Sequence, residues 1–180
     1  MSYSRRSASS RMASLDRFDA VVAFPAMRVA VCTDGDHLAE VRYLPPDAAE
    51  RAPRNALAAR AVRQLERYRE DPDAMFDLPI APQGTPFQMQ VWGALMRIRR
   101  GTVKTYGELA RDLGGGARPR DDGTLARSVG QACGDNCLPI VIPCHRAVAA
   151  DGLGGFAHSR SGFLIEAKSW LLAHEKALLI

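Results

Sequence analysis

Apolar residues in the first third of the chain recur in short runs, which is the pattern of β-strands. Three such runs, rich in valine and aromatic residues, cover Phe18–Phe24, Arg28–Thr33 and Leu38–Leu44. Pro25 separates the first two runs, and an Asp-Gly-Asp turn signal at positions 34–36 precedes the third. The pattern predicts a small antiparallel sheet whose strands follow one another along the chain.

After two consecutive prolines at positions 45 and 46, the apolar residues are spaced three or four positions apart. Within Asn55–Glu70 the apolar residues stand at i, i+4, i+8 and i+11, which predicts an amphipathic helix with an arginine-rich outer face. These residues are Leu57, Ala61, Leu65 and Tyr68. We interpret the arginines as a solvated face, so this half of the chain is expected to support the fold rather than to do chemistry.

Four helices are predicted in the second half of the chain. They run from Pro86 up to Gly101 and over Tyr106–Leu113, Thr124–Cys133 and Phe163–Leu179. Thr85 provides a capping hydroxyl for the first helix, and Thr105 with Glu108 forms a capping box for the second. The second and third helices resemble a helix-turn-helix, although the glycine-rich loop between them is long for that motif.

Residues 71–84 contain three prolines and a glycine, and we place a domain boundary there. The expected organisation is a tail over 1–15, an N-terminal α/β domain over 16–80 and a C-terminal domain over 81–180. The Ser/Arg-rich tail has little to bury, so we expect disorder. Its acid-free composition is also that of an organelle transit peptide, but it shows no clear amphipathic pattern.

The formal net charge of +4 is unevenly distributed along the chain. Residues 16–80 carry 9 basic and 12 acidic side chains, whereas residues 81–180 carry 12 basic and 8 acidic ones. A basic second half is a modest indication of a polyanionic partner such as nucleic acid. No apolar run approaches the ~20 residues that span a bilayer, so no membrane association is expected.

Four cysteines without a secretory signal pattern predict free thiols in a reducing compartment, and we expect a cytoplasmic protein of bacterial type. Cys144 is the most informative of them because of its neighbours. The apolar run Ile140–Ile142 ends at a proline, and Cys144, His145 and Arg146 follow directly. One interpretation is an inert cysteine at the end of a strand. The other is a nucleophile whose pKa is lowered by neighbouring positive charge. A zinc site of Cys133, Cys137, Cys144 and His145 is a further alternative, with irregular spacing.

The string Pro143-Cys144-His145-Arg146 does not stand alone. Asn136 and a Leu-Pro-Ile run precede it, a glycine loop over Asp151–Gly155 follows, and the chain then reads Lys168-x-Trp170-Leu-Leu-Ala-His-Glu175. This combination resembles the O6-alkylguanine-DNA alkyltransferases over about residues 84–176. The resemblance implies an α/β fold with a ribonuclease-H-like N-terminal domain and a C-terminal winged helix-turn-helix domain.

The implied function is DNA repair by direct damage reversal. A methyl or larger alkyl group would move irreversibly from O6 of guanine, less readily from O4 of thymine, to Cys144 in a single turnover. The resemblance further implies that His145 takes the thiol proton through a water and that Glu175 orients His145. Tyr106 would donate a proton to the guanine, and Asn136 would hold the turns around the active-site segment.

The same resemblance implies how DNA is bound. Double-stranded DNA containing alkylated guanine would be held through its minor groove, with Arg127 filling the gap left by the flipped nucleotide. Small residues on the same helix suit a narrow groove; they are Ala126, Ser128, Gly130 and Ala132. The base pocket is expected to be lined by Pro139, Val148, Gly154, Gly155 and Phe156. We expect a monomer that uses no cofactor or metal and is nucleoid-associated when bound to DNA.

Four features depart from the family pattern. Cys137 stands where proline is frequent, Phe156 stands where tyrosine is common, and the loop Gly114–Asp122 is extended. His158–Gly162 lengthens the loop after the pocket, which would change the alkyl groups that fit. The sequence leaves two alternative functions open. One is a non-catalytic winged-helix protein that recognises alkylated DNA. The other is a cysteine hydrolase, but the adjacency of nucleophile and base argues against it.

Overall fold

The computed structural model describes residues 16–114 and 123–177, so the expected disorder of the tail over 1–15 falls outside it. The fold is mixed α/β, as predicted. It begins with an antiparallel sheet of three strands in sequential order, β1 (Ala20–Phe24), β2 (Met27–Asp34) and β3 (His37–Leu44). Each observed strand overlaps its predicted run, and their order along the sheet is confirmed.

Helix α1 (Ala56–Glu70) packs against this sheet, and Asn55 caps it by accepting a hydrogen bond from the backbone N–H of Ala58. Its buried stripe agrees with the prediction at Ala61, Leu65 and Tyr68. At the first turn Ala58 is buried in place of the predicted Leu57.

Helix α2 (Pro86–Met96) starts at the capping hydroxyl predicted at Thr85, which forms a capping box with Gln88, but the helix ends earlier than the expected Gly101. The N–H groups of Arg97 and Ile98 bond to carbonyls three residues back, which tightens the last turn. The tightened turn brings Ile98 into the core, and Gly101 then adopts a left-handed backbone with φ of 72°.

The short strands β4 (Lys104–Thr105) and β5 (Ala147–Val148) pair in parallel. Helix α3 (Tyr106–Leu113) follows β4 and has the predicted capping box of Thr105 and Glu108. Helix α4 (Thr124–Gly134) packs against α3, so the two helices of the expected helix-turn-helix are adjacent. Residues 115–122 of the extended loop lie outside the described part of the chain.

The last helix, α5 (Phe163–His174), stops well before the predicted Leu179. Lys176 has a left-handed backbone with φ of 55°, and its N–H bonds to Ala173 while that of Ala177 bonds to Leu172. This pair of hydrogen bonds is the Schellman motif that ends many helices. It turns the chain at Glu175, which becomes the C-cap residue.

Buried apolar residues from both halves of the chain form one continuous core. Phe24 of β1 packs edge-on against Trp170 of α5, with ring centroids 5.6 Å apart. The connecting stretch 71–84 contacts the sheet through a 2.8 Å hydrogen bond from the N–H of Leu38 to the carbonyl of Pro79. The division into domains at residue 80 stays a prediction. Over 16–114 and 123–177, no helix combines the length and apolar character needed to cross a membrane.

Candidate active site

Cys144 begins a single turn of 3-10 helix, Cys144–Arg146, that follows a tight turn. Asn136 holds that turn from both sides: its amide N–H₂ donates to the carbonyl of Ile142 at 2.8 Å, and its side-chain oxygen accepts from the N–H of Leu138 at 3.0 Å. Within the turn, Ile140 has φ of 73°, which is strained for a β-branched residue. Asn136 therefore lies where it can fix the position of the thiol.

The Cys144 side chain is buried, with only 4% of its surface exposed. Burial raises the pKa of the thiol, while a hydrogen bond from Asn136 and the charge of Lys168 act in the opposite direction without prevailing. The interpretation of a thiol activated by adjacent positive charge is therefore wrong for the resting protein. Cys144 rests as a neutral thiol and needs a base.

His145 is fully buried, and its Nε2 atom lies 3.0 Å from Oε1 of Glu175. Since a carboxylate only accepts, Nε2 carries the proton and Nδ1 keeps the basic lone pair. Nδ1 has no hydrogen-bond partner among the described residues. Burial lowers the pKa of His145, although the Glu175 carboxylate opposes this, so the imidazole is neutral near pH 7.

The buried carboxylate of Glu175 accepts four hydrogen bonds. Besides the His145 contact, the guanidinium of Arg146 donates to both carboxylate oxygens at 2.8 Å, and the hydroxyl of Tyr68 donates at 2.8 Å. Burial alone would raise the pKa of Glu175, but these hydrogen bonds and the neighbouring charges hold it well below its usual value. Glu175 is therefore ionised and rigidly placed behind His145.

Lys168 is a buried cation on α5 beside the thiol. Its ammonium donates to the carbonyls of Ala147, Leu153 and Gly155 at 2.7, 2.6 and 3.2 Å, which ties β5 to the glycine loop. Burial lowers the pKa of Lys168 to about 8. The same ammonium lies 3.5 Å from the hydroxyl of Tyr106, which in turn donates to the carbonyl of Gly155 at 3.0 Å.

Two cavities meet at Cys144. The larger, here called the outer cavity, has a volume of about 900 Å³. Residues of α3, α4 and the glycine loop line it, and those predicted from the sequence are Tyr106, Ala126, Arg127, Gly130, Cys144, Gly155 and Phe156. The smaller, here called the side chamber, has a volume of about 480 Å³ and includes Asn136, Pro139 and Cys144 in its wall.

Arg127 is exposed on α4, and its guanidinium donates to the hydroxyl of Thr124 at 3.3 Å. Gly130, one helical turn further on, lies beside the ring of Tyr106, where an added Cβ would be in ordinary van der Waals contact at 4.0 Å. The helix thus presents small residues and one long cation at the mouth of the outer cavity.

Four of the predicted residues lie elsewhere. Ser128 is exposed, and its hydroxyl donates to the carbonyl of Thr124 within the helix, whereas Ala132 is buried in the core. Val148 is buried in β5, where it pairs with Thr105. Gly154 supports the pocket indirectly, because its left-handed backbone lies so close to Ala149 that an added Cβ would be 3.1 Å away.

Two residues of this site were missed from the sequence, Tyr68 and Lys168. Tyr68 follows the apolar stripe of α1, and no pattern distinguishes it from an ordinary core tyrosine. Lys168 did leave a signal, since it shares the apolar face of α5 with Leu171 and Leu172, where a lysine is unexpected.

Over 16–114 and 123–177, no group of three or more His, Cys, Asp or Glu side chains is arranged to hold a metal ion, so the zinc alternative is not supported. The four cysteines are free thiols.

The family model described as "6-O-methylguanine DNA methyltransferase, DNA binding domain" matches residues 86–177, which is half of the chain. A methylated-DNA--protein-cysteine methyltransferase of Methanosarcina acetivorans is 43% identical over 98 residues, covering 54% of this chain and 58% of that protein. The matched part spans less than two thirds of the length of the curated relatives.

Solved structures resemble the chain over a greater share of its length. The crystal structure of Mycobacterium tuberculosis O6-methylguanine methyltransferase is 29% identical with a TM-score of 0.68, covering 87% of this chain and 90% of that one. The crystal structure of Mycobacterium tuberculosis OGT in complex with DNA is 31% identical with a TM-score of 0.66, covering 87% and 91%.

Proposed function

Since the chain belongs to the 6-O-methylguanine DNA methyltransferase family, we propose that it repairs DNA by moving an alkyl group from O6 of guanine to the sulfur of Cys144. The transfer is irreversible and occurs once per molecule, because the acceptor is a side chain. One observation supports this most strongly: a neutral thiol in a cavity wall is followed by a neutral histidine whose Nε2 is held by an ionised glutamate.

The reaction starts with removal of the thiol proton. Nδ1 of His145 has no partner among the described residues and is the basic nitrogen of the site. We infer that a water relays the proton from the thiol of Cys144 to this nitrogen. Glu175 stabilises the imidazolium that forms, in the manner of the acid in a catalytic triad. Arg146 keeps Glu175 ionised and in place throughout.

The thiolate then attacks the alkyl carbon. A sulfur–carbon bond forms as the carbon–O6 bond breaks, and the electron pair of that bond stays with the guanine. Tyr106 donates its hydroxyl proton to the base, and the proton held by the imidazolium is returned to the Tyr106 phenolate, so guanine gains in net terms the proton that the thiol lost. Lys168, 3.5 Å from the Tyr106 hydroxyl, favours this transfer as a nearby positive charge.

The DNA partner would be a duplex with an alkylated guanine, bound through its minor groove by α4. Ala126 and Gly130 allow a close approach, and Arg127 occupies the gap left when the base is flipped into the outer cavity. Thymine alkylated at O4 is a poorer substrate of the same chemistry. We further propose that the protein acts as a monomer in the cytoplasm, on the nucleoid.

The test is incubation with duplex DNA carrying O6-methylguanine, followed by intact-mass analysis. We expect a gain of one methyl group by the wild type and by Cys137→Ala, a matched change of a half-buried thiol nearby, and no gain by Cys144→Ala. A methyl gain that survives Cys144→Ala overturns the proposal. Binding of the damaged DNA without any gain would instead identify a non-catalytic recognition protein.

A further inference from the structure

The lengthened loop after the pocket begins in a tight hairpin. Phe156 and Ser159 exchange two backbone hydrogen bonds of 2.8 Å, so Ala157 and His158 form a two-residue turn. Both turn residues have a left-handed backbone, with φ of 46° and 62°. This backbone suits the twist of a hairpin, but alanine and histidine adopt it only at a cost in free energy. Such a conformation persists where other contacts hold it in place.

His158 provides those contacts. Its Nε2 atom lies 2.8 Å from Oδ1 of Asp135, the C-cap residue of α4, and Gln88 of α2 donates to the other carboxylate oxygen at 2.9 Å. The His158 ring also lies against Gly134, where an added Cβ would be 2.5 to 2.8 Å from three ring atoms. A carboxylate at a helix C-terminus opposes the helix dipole, so Asp135 is better explained by its two side-chain partners than by helix stability. The hairpin is therefore fastened to the end of α4.

Arg160 follows this hairpin and lines the outer cavity. The segment that carries it is ordered by Ser159, whose hydroxyl donates to the carbonyl of Ser161 at 2.9 Å. The stem of Arg160 lies over the glycine loop, since a Cβ added at Gly155 would be 3.8 Å from its Cγ atom. Arg160 is exposed, and its guanidinium has no hydrogen-bond or ion-pair partner within 16–114 and 123–177. A fixed stem thus presents a cation that a ligand can reach.

The charge around the outer cavity indicates which ligand. Among the described residues that line it, Arg111, Arg127 and Arg160 outnumber the single carboxylate, Glu108. This excess of positive charge suits phosphate, and a nucleotide that leaves the stack brings its own phosphates to the cavity mouth. Arg127 is assigned to the gap in the stack, and the charge of Arg111 is partly offset by Glu108, three residues earlier on α3. Arg160 is then the cation best placed for those phosphates.

We propose that Arg160 binds a phosphate of the damaged strand beside the flipped nucleotide, and that His158 is the positioning residue that holds Arg160 at the cavity mouth. The inference rests on the proposed repair function, which places the flipped nucleotide in the outer cavity. Arginine binds phosphate oxygens through paired hydrogen bonds of defined geometry, so the contact favours one position of the backbone. It stabilises the extrahelical nucleotide by its backbone, whereas α4 acts in the groove.

The first experiment measures affinity for a duplex with one O6-methylguanine as the salt concentration is varied. The parent protein is Cys144→Ala, in which the proposed acceptor is absent and the lesion stays intact. Adding Arg160→Ala should lower the affinity about fivefold to tenfold and reduce the slope of log affinity against log salt by about one. Arg160→Lys should keep the slope, and Arg99→Ala, an exposed arginine elsewhere, should bind like the parent. An unchanged slope in Arg160→Ala overturns the phosphate contact.

A single neutral linkage then locates the contact. Each phosphate flanking the damaged nucleotide is replaced in turn by a methylphosphonate, which carries no charge. The parent should bind one of these duplexes less tightly, and Arg160→Ala should show no further loss with that same duplex. Equal sensitivity of the two proteins at every position would exclude a contact between Arg160 and these phosphates.

The role of His158 is tested through Arg160. His158→Ala should lower the affinity, and the double variant with Arg160→Ala should bind no worse than Arg160→Ala alone, because both changes remove one contact. Additive losses overturn the positioning role. With Cys144 intact, Arg160→Ala should slow repair of the duplex but not reaction with free O6-methylguanine base, which has no phosphate, and equal slowing would contradict the proposal. A wild type that transfers no methyl group would refute the proposed function instead, while the binding data still decide the phosphate contact.

Discussion

The hydroxyl of Tyr68 donates a 2.8 Å hydrogen bond to the carboxylate of Glu175, 107 residues further along the chain. The contact is reinforced nearby, because the His174 ring nitrogen lies 2.6 Å from the carbonyl of Tyr68 and the two rings meet edge to face. A helix of the N-terminal half is therefore part of the hydrogen-bond network behind Cys144, the proposed nucleophile.

Tyr68→Phe tests that connection. Removing one of four donors to a buried carboxylate should lower the free energy of unfolding by about 1.5 kcal/mol and slow methyl transfer by less than tenfold, since His145 and Arg146 still hold Glu175. The control is Leu65→Val on the same helix, which should cost about 1 kcal/mol without slowing transfer. Denaturant unfolding and single-turnover rates give both quantities. Equal rates in the two variants would mean that Tyr68 is only structural.

Glu175→Gln addresses the protonation of His145. A glutamine amide can donate to Nε2, which would place the histidine proton on Nδ1 and remove the base that faces the thiol. We expect methyl transfer to fall about 10²–10⁴-fold. Glu166→Gln, an exposed change on the same helix, should react at the wild-type rate. A loss within threefold for Glu175→Gln would show that Glu175 does not set the tautomer.

Stability should fall in two steps as the pH is lowered. The pKa of His145 is below its ordinary 6.5 in the folded protein, so as the pH falls below 6.5 the unfolded chain takes up a proton before the native state does. This difference in proton binding lowers the free energy of unfolding. The pKa of Glu175 is below its ordinary 4.5, so the same argument adds a second loss below pH 4.5. Each group contributes at most about 1.4 kcal/mol per pH unit.

Urea unfolding between pH 4 and pH 8 tests whether the free energy of unfolding falls as the pH is lowered. His145→Gln should reduce the loss of stability that begins as the pH falls below 6.5, and His37→Gln, at an exposed position, is the matched control. A wild-type protein that gains stability on acidification through this range would contradict the assignment.

Arg127→Ala separates base flipping from chemistry. Extruding a base costs a few kcal/mol of stacking, which an inserted side chain partly offsets. Repair of duplex DNA should therefore fall about tenfold or more, while reaction with the free alkylguanine base, which needs no flipping, should change little. The control is Arg99→Ala, an exposed arginine elsewhere on the surface. Equal losses on both substrates would exclude the intercalating role.

Helix starts were predictable from the sequence because they depend on local chemistry, and the caps predicted at Thr85 and Thr105 are observed. The predicted ends of α1, α3 and α4 are also observed to within one residue. The ends of α2 and α5 were not predicted, because tertiary packing sets them: α2 tightens to bury Ile98, and α5 turns where Glu175 meets its donors. The motif around Cys144 predicts the nucleophile, and that assignment stays a prediction. The contribution of Tyr68 was hidden, since apolar periodicity predicts burial of a ring but not the partner of its hydroxyl.

The burial of Cys144 has a consequence for how long the protein stays usable. In the proposed single-turnover transfer, a molecule whose Cys144 sulfur has reacted with an electrophile or oxidant from solvent can no longer accept an alkyl group. Thiolates react and thiols largely do not, so a neutral sulfur with 4% of its surface exposed is shielded until a substrate fills the cavity. The rate at which iodoacetamide labels Cys144, compared with the rate for the half-buried Cys137, measures this protection, and we expect Cys144 to be labelled more slowly.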